Sequence, residues 1–501
     1  MLPTTDACIT SGLSEAMEHI LPALEQFLRF EDQDLAARDY PLWRDALDEP
    51  LPQRGAGAGA TLQLLRDEVI PHGSRIGAPG FTGWVTTAPT VVPAVAALSG
   101  SLAGPQPYMA QSFSFLEHLA REWLKQLLGL PPAVEGVLSS GGSVANLVGL
   151  AAARQWGCEQ RGIDASLEGL GGVPKPRLYA TREIHHVILR AAGVLGLGRR
   201  ALVALPVDDG LRMDVGALRA QLRRDKAEGC TPIAVTASAG TVNTGAIDPL
   251  GEILEVCREQ DVWLHVDGAY GGFGLLDPAV THLYEGFAEA DSIVVDPHKW
   301  LAVPLGCGAT FVRDRGLAAR AFALEPAAYL EGSVRVTETI RSQFDAFGYP
   351  FHETTVEHSM RSRGVTIWAA LKEMGAEGFR ARIVRHNAYA RHLAELVQAS
   401  RDLELLAPVT LSICCFRYVP AELRGKPDSA GRIDDLNREI VARLHAEHRH
   451  VPSSTEIRGS FAIRPCYINP RTGPEEVDDL ARAVERIGAQ AWRDAAYAGV
   501  T

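Results

Sequence analysis

Short unbroken apolar runs alternate along this chain with longer stretches in which apolar residues recur every three or four positions. The runs PRLYAT (from residue 176), PIAVTAS (232), VWLHVD (262) and SIVVD (292) are too short for core helices and read as strands. Between them, VGALRAQLRRDKAEG and LGEILEVCREQ carry the helical period. Strands without polar alternation, separated by helices, are buried on both faces, which predicts an α/β architecture with a mostly parallel central sheet. The first 80 or so residues read differently. LSEAMEHILPALEQFLRF and ATLQLLRDEVI are helical, with the breaker RGAGAGA before the second. Past residue 372 the alternation changes again, through GSFAIRPCYINP to a helix starting at Pro474, as expected of a smaller C-terminal α+β domain. The pattern thus predicts a helical segment over 1–80, a large domain over 81–372 and a small domain over 373–501.

Composition narrows the function classes. At 46% hydrophobic and 22% charged, the chain is an ordinary globular one. Forty-nine basic against sixty-one acidic residues give a net charge of −12, which argues against nucleic-acid or anionic-membrane binding. No apolar run is long enough to cross a bilayer, and the first residues lack a signal peptide's basic patch and apolar core. Eight scattered cysteines without a CxxC pair suggest neither a disulfide framework nor a metal site, so a cytoplasmic location is expected.

Ligands of open α/β sheets bind beyond the carboxyl ends of the strands. Here those ends carry chemistry. His185 and His186 follow PRLYAT, Gly240 and Thr241 follow PIAVTAS, Asp267 ends VWLHVD, and SIVVD runs into Asp296, His298 and Lys299. A fifth element, LSSGGSVANLVGLAAARQ, turns at Gly141 and Gly142 and opens a helix at Ser143, where free N–H groups suit a phosphate. It lacks the spacing of a nucleotide P-loop, and a Gly-Gly pair before a helix can also be only a turn. A phosphate cradle, a carboxylate, a histidine and a lysine on one sheet edge point to pyridoxal phosphate (PLP). The lysine amine condenses with the cofactor aldehyde, and the carboxylate pairs with the pyridinium nitrogen.

VDPHKW with Lys299, HVDGAYGG with Asp267 and Ala269, and EIHHVILRAAGVLGLG with His185 resemble the group II PLP-dependent amino-acid decarboxylases, among them the aromatic-L-amino-acid, glutamate and 2,4-diaminobutyrate decarboxylases. SSGGSVANL, ASAGTVNTGAIDPLGEI, LEPAAYL and FAIRPCYINPRT follow in that family's order, from about residue 70 to about residue 485. The resemblance implies a fold-type I, aspartate-aminotransferase-like enzyme and an obligate homodimer with shared active sites. It also implies an N-terminal segment embracing the partner. Position by position, it makes Lys299 the cofactor-bound lysine and Asp267 the pyridinium partner. His185 becomes the stacking histidine, and Ala269 packs by the ring. Gly142, Ser143 and Asp296 fall at phosphate-contacting positions, Thr241 in a cofactor-touching segment, and His298 beside the substrate carboxylate.

The resemblance also implies a tyrosine on a mobile loop as the proton donor to the substrate α-carbon. Counting back from RSRGVTIW without gaps puts Phe351 there, with Tyr349 two residues earlier. Tyr349 would give an amine by simple decarboxylation, the favoured reading. Phe351 would leave the carbanion open to oxygen, giving an aldehyde, as in aldehyde synthases. Trp84 and Phe81 in GFTGWVTTAP lie in the family's substrate-side segment and favour an aromatic amino acid. Arg464 either reaches the site or pairs within the small domain. An aminotransferase and a regulatory protein that has lost the cofactor are the competing readings. The DPHKW context opposes the first, and intact Lys299, Asp267 and His185 oppose the second.

Overall fold

The computed structural model describes residues 12–30, 40–105, 111–322, 351–426 and 428–498. Two sheets organise it. The larger holds β2 (Glu135–Ser139), β3 (Pro176–Thr181), β4 (Leu202–Leu205), β5 (Thr231–Ser238), β6 (Trp263–Asp267), β7 (Ser292–Val295) and β8 (Gly308–Val312), in the order β2-β8-β7-β6-β5-β3-β4. All the anticipated strands are present. Only β8 runs against the rest, pairing antiparallel with both β2 and β7. β5, β6, β7 and β8 are almost entirely buried, which is why their sequences show no alternation.

The Gly142–Glu159 helix is the main brace of this sheet. It packs on β2, β5, β6, β7 and β8, and most of its residues from Ala145 to Cys158 are buried. Its Ala-rich sequence permits that close approach, since small side chains let helix and sheet backbones come together.

The second sheet has the order β1-β11-β12-β10-β9. Four strands come late in the chain: β9 (Leu403–Leu405), β10 (Phe416–Tyr418), β11 (Val451–Ile457) and β12 (Ser460–Arg464). The fifth, β1, is the dipeptide Phe81–Thr82, which pairs parallel with Val451–Pro452 at the edge. The 36-residue helix Gly364–Ala399 links the two cores, turning at Gly375 with φ 66°. It packs against the Val91–Ala103 and Gln111–Leu127 helices at one end and the Pro474–Ala498 helix at the other. Among the described residues, no helix is long and apolar enough to cross a membrane.

Candidate active site

The carboxyl ends of β2, β3, β5, β6 and β7 open into one cavity of about 560 Å³, closed on its far side by Trp84, β11 and Arg464. Each wall element follows from local sequence. After β2, Gly141 takes φ 122°, a region that favours glycine, and turns the chain into the Gly142–Glu159 helix. A Cβ at Gly142 would lie 2.6 Å from Asp296 Oδ2, so this glycine lets the helix start touch the end of β7. The free N–H groups of that first turn, with Ser143, face the cavity.

Beyond β7, Asp296 is buried and receives Lys299 Nζ at 3.0 Å, while its Oδ1 is left without a partner. Lys299 itself is 17% exposed, its amine turned into the cavity rather than to solvent. His298 donates from Nδ1 to the Cys307 carbonyl at 2.6 Å, because a carbonyl only accepts, and its Nε2 stands 3.8 Å from Asp296 Oδ2. Asp267, at the end of β6, accepts the Ala269 N–H at 3.1 Å. Burial pushes its carboxyl up, and Lys299, the Ala269 N–H and the Asn146 amide oppose that shift.

His185 accepts the Val187 N–H at Nδ1 (3.3 Å) and stacks on His186 with centroids 4.4 Å apart. Burial first, and the Lys299 charge second, bring its pKa down to about 4, so its ring is neutral near pH 7. Thr241, buried after β5, bonds Thr244 Oγ1 at 3.0 Å and lines the cavity, as does Ala269.

The fold therefore brings together Lys299, Asp267, Ala269, His185, Gly142, Ser143, Thr241, Asp296, His298 and Trp84. Two expected positions do not reach the wall. Phe81 is buried in β1, with its ring edge-on to Trp84 at 5.9 Å. Phe351 begins a short helix, Phe351–Thr354, outside the cavity lining. Tyr349 lies outside the described residues.

Arg464 proves to be part of the wall. Its guanidinium donates to the carbonyls of Trp84 (2.6 Å), Asn243 (3.2 Å) and Val242, and to Ser453 Oγ (3.2 Å). It ties β12 to the loop after β5 and to a Trp84 backbone held at φ 52°. Sequence reading missed Asn146, Asn243 and the polar run Ser453–Thr455, which also line the cavity. The available signal was Asn146, an amide among the apolar residues in the first turns of its helix.

The cavity fits PLP on grounds of its own. The half-buried Asp267 carboxylate faces it with acceptor capacity to spare, as a protonated ring nitrogen requires. A lysine amine and a helix N-terminus border the same space. Residues 108–419 match the family model described as the pyridoxal-dependent decarboxylase conserved domain. The chain is 30% identical to an aromatic-L-amino-acid decarboxylase of Bacillus atrophaeus over 455 residues, 90% of each sequence. It is 32% identical to an L-2,4-diaminobutyrate decarboxylase of Rhizobium meliloti (strain 1021) over 450 residues, 88% of this chain and 84% of that one. The crystal structure of Oryza sativa TDC with PLP and tryptamine superposes with a TM-score of 0.85 at 22% identity, covering 97% of this chain and 99% of the other.

Proposed function

The chain belongs to the pyridoxal-dependent decarboxylases and is a PLP-dependent carboxy-lyase of amino acids, and from that premise we propose that its substrate is an aromatic L-amino acid, released as the amine. One observation carries the choice. The lysine and arginine side chains that line the cavity are already committed: Lys299 to Asp296, and Arg464 to three carbonyls and a hydroxyl. An acidic substrate side chain would thus find no uncommitted lysine or arginine among the described cavity-lining residues, and burying it unpaired would be costly. An aromatic side chain needs none, and the exposed Trp84 in the cavity wall offers it a flat apolar contact. The 30% identity to the Bacillus enzyme supports the same reading.

Bound PLP supplies the aldehyde that takes up the amine and a ring that accepts the electron pair of the breaking bond. The residues of this chain hold and direct it. Lys299 presents the amine, and Asp296, its neighbour at 3.0 Å, accepts the amine's proton-bearing face and keeps it inside the cavity. Asp267 holds a proton on the ring nitrogen. The first turn at Gly142 and Ser143 would hold the phosphate, with Thr241 and Ala269 bordering the same space. His185 presents a neutral face for stacking, and His298, with Nδ1 fixed by Cys307, offers Nε2 toward the substrate carboxylate. Tyr349 is assigned proton delivery to the α-carbon. The reading extends to the assembly: a homodimer with shared sites, in which residues 1–80 embrace the partner while 81–372 and 373–501 form the large and small domains.

Incubating the purified protein with PLP, air and separate L-amino acids, with mass spectrometry of the products, tests this. Tryptamine, tyramine or phenethylamine is expected. Turnover confined to glutamate, cysteine sulfinate or 2,4-diaminobutyrate would overturn the substrate assignment. An aldehyde with matching peroxide would replace Tyr349 by Phe351 at the donor position.

A further inference from the structure

Asp267 does not meet the cavity alone. Behind it a line of fully buried polar groups runs from β6 and β7 into the Gly142–Glu159 helix. Trp263 Nε1 donates to Ser292 Oγ at 2.8 Å, Ser292 Oγ lies 2.8 Å from His265 Nδ1, and His265 Nε2 lies 2.8 Å from Asn146 Oδ1. The direction of each bond is fixed by chemistry. An indole N–H only donates and an amide oxygen only accepts. The Asn146 amide is oriented because its Nδ2 donates to the Gly142 carbonyl at 2.8 Å. His265 therefore carries its proton on Nε2, and burial, which brings its pKa down to about 3, keeps the ring neutral. Its Nδ1 must then accept the Ser292 hydroxyl hydrogen. Every bond points the same way, and the series ends at Asn146, whose amide nitrogen is held by the Gly142 carbonyl and which lines the same cavity as Asp267 and favours its ionised form.

The helix is shaped to admit this line. A Cβ at Gly149 would come within 2.5 Å of His265 Cε1 and 2.7 Å of its Nδ1, so the imidazole occupies a slot that only glycine leaves open. A buried polar network of this size is costly unless every member is satisfied, and here each donor finds an acceptor.

We propose that His265 and Asn146 are positioning residues for Asp267: a one-way donor chain that keeps its carboxylate ionised and aimed at the ring nitrogen of the bound cofactor. The proposal rests on the reading of Asp267 as the cofactor's ring partner. Two other charges face that carboxylate, Lys299 favouring its ionised form and Asp296 opposing it.

The test compares holoenzymes carrying His265→Phe, His265→Gln, Asn146→Ala, Ser292→Ala and Asp267→Asn with wild type. PLP dissociation constants come from titrating the stripped proteins, and the visible absorbance bands of the bound cofactor are recorded. His265→Phe and Asn146→Ala are expected to weaken PLP binding by about ten-fold or more, the worth of one hydrogen bond to a buried charge, and to redistribute the bands. His265→Gln, whose amide can donate to Asn146 and accept from Ser292, is expected to recover most of the loss. A merely structural role would lower the melting temperature of the stripped protein alike in the Phe and Gln variants and leave affinity and spectrum at wild-type values. That result overturns the proposal. Should His265→Phe not fold, Ser292→Ala reads the same chain one step back, and an unchanged affinity and spectrum there overturns it equally. Asp267→Asn separates the two levels. If it alone weakens binding, the donor chain fails and the site stands; if it changes nothing, the assignment of Asp267 fails first.

Discussion

Lys299 and His185 carry the sharpest predictions at the scale of single residues. Lys299→Ala removes the amine that holds cofactor and substrate in turn, and decarboxylase activity is expected to fall by about a thousand-fold or more in a carbon dioxide release assay. His185 gives a pH signature. Its pKa in the folded protein lies near 4 against 6.5 for an ordinary histidine, so unfolding must take up a proton between those values. Stability therefore falls as pH drops from about 6.5, and the loss is complete near 4. His185→Phe cannot titrate. The stability difference between variant and wild type, measured by urea unfolding without added cofactor, should shift in the variant's favour across that window and level off below it. These residues were legible in the sequence because each sits at the end of an apolar run, where a parallel sheet places its ligands. Asn146 and His265 were not. One lies inside a helix and the other inside a strand, and their meaning appears only when the helix crosses the sheet and sets them 2.8 Å apart.

At the scale of elements, the turn between β5 and the following helix is held by a carboxylate as well as by the buried Ala246 and Ile247. Asp248 accepts the N–H groups of Met213 and Ser238, each at 2.7 Å, and is fully buried. Asp248→Ala orphans both donors, at about 1–3 kcal/mol each, and should lower the midpoint of chemical unfolding without changing the product formed. Glycine sets a second element-scale constraint. Gly142→Ala drives a methyl against Asp296 and should displace the first turn from the phosphate position, weakening PLP binding measurably in a spectral titration. The strands themselves were read correctly from their apolar runs, but the reversed direction of β8 was not. Hydrophobic periodicity is the same in both directions, and direction is set by connection length and by neighbours distant in sequence.

At the scale of the whole molecule, the chain leaves much apolar surface uncovered. On the Val91–Ala103 helix, Val91, Val92, Val95, Leu98 and Leu102 are exposed along one side, and Leu13, Leu21, Phe115 and Trp84 are exposed elsewhere. Solvent-facing apolar positions so placed on one helix mark an interaction surface, and the proposed homodimer would cover it. Val95→Asp together with Leu98→Asp should yield monomers in sedimentation velocity and lose about ten-fold or more in activity if the partner completes the site. A double variant that remains dimeric and active would place the dimer contact elsewhere. Neither this surface nor the far wall of the cavity could be read from local pattern.

That far wall has a consequence in time. Trp84 is bonded to Arg464, and Phe81–Thr82 pairs with Val451–Pro452, so contacts that complete the cavity join residues more than three hundred positions apart. During synthesis, β2 to β8 can emerge and fold with Lys299 and Asp267 already at their strand ends. Of the wall opposite them only Trp84 has been translated; β11 and Arg464 have not. Tight capture of the cofactor is therefore a late event, and a nascent chain stalled before residue 451 would present its lysine amine in an open groove. Ribosome-bound intermediates of increasing length, probed with PLP and borohydride, would show when the groove becomes a site.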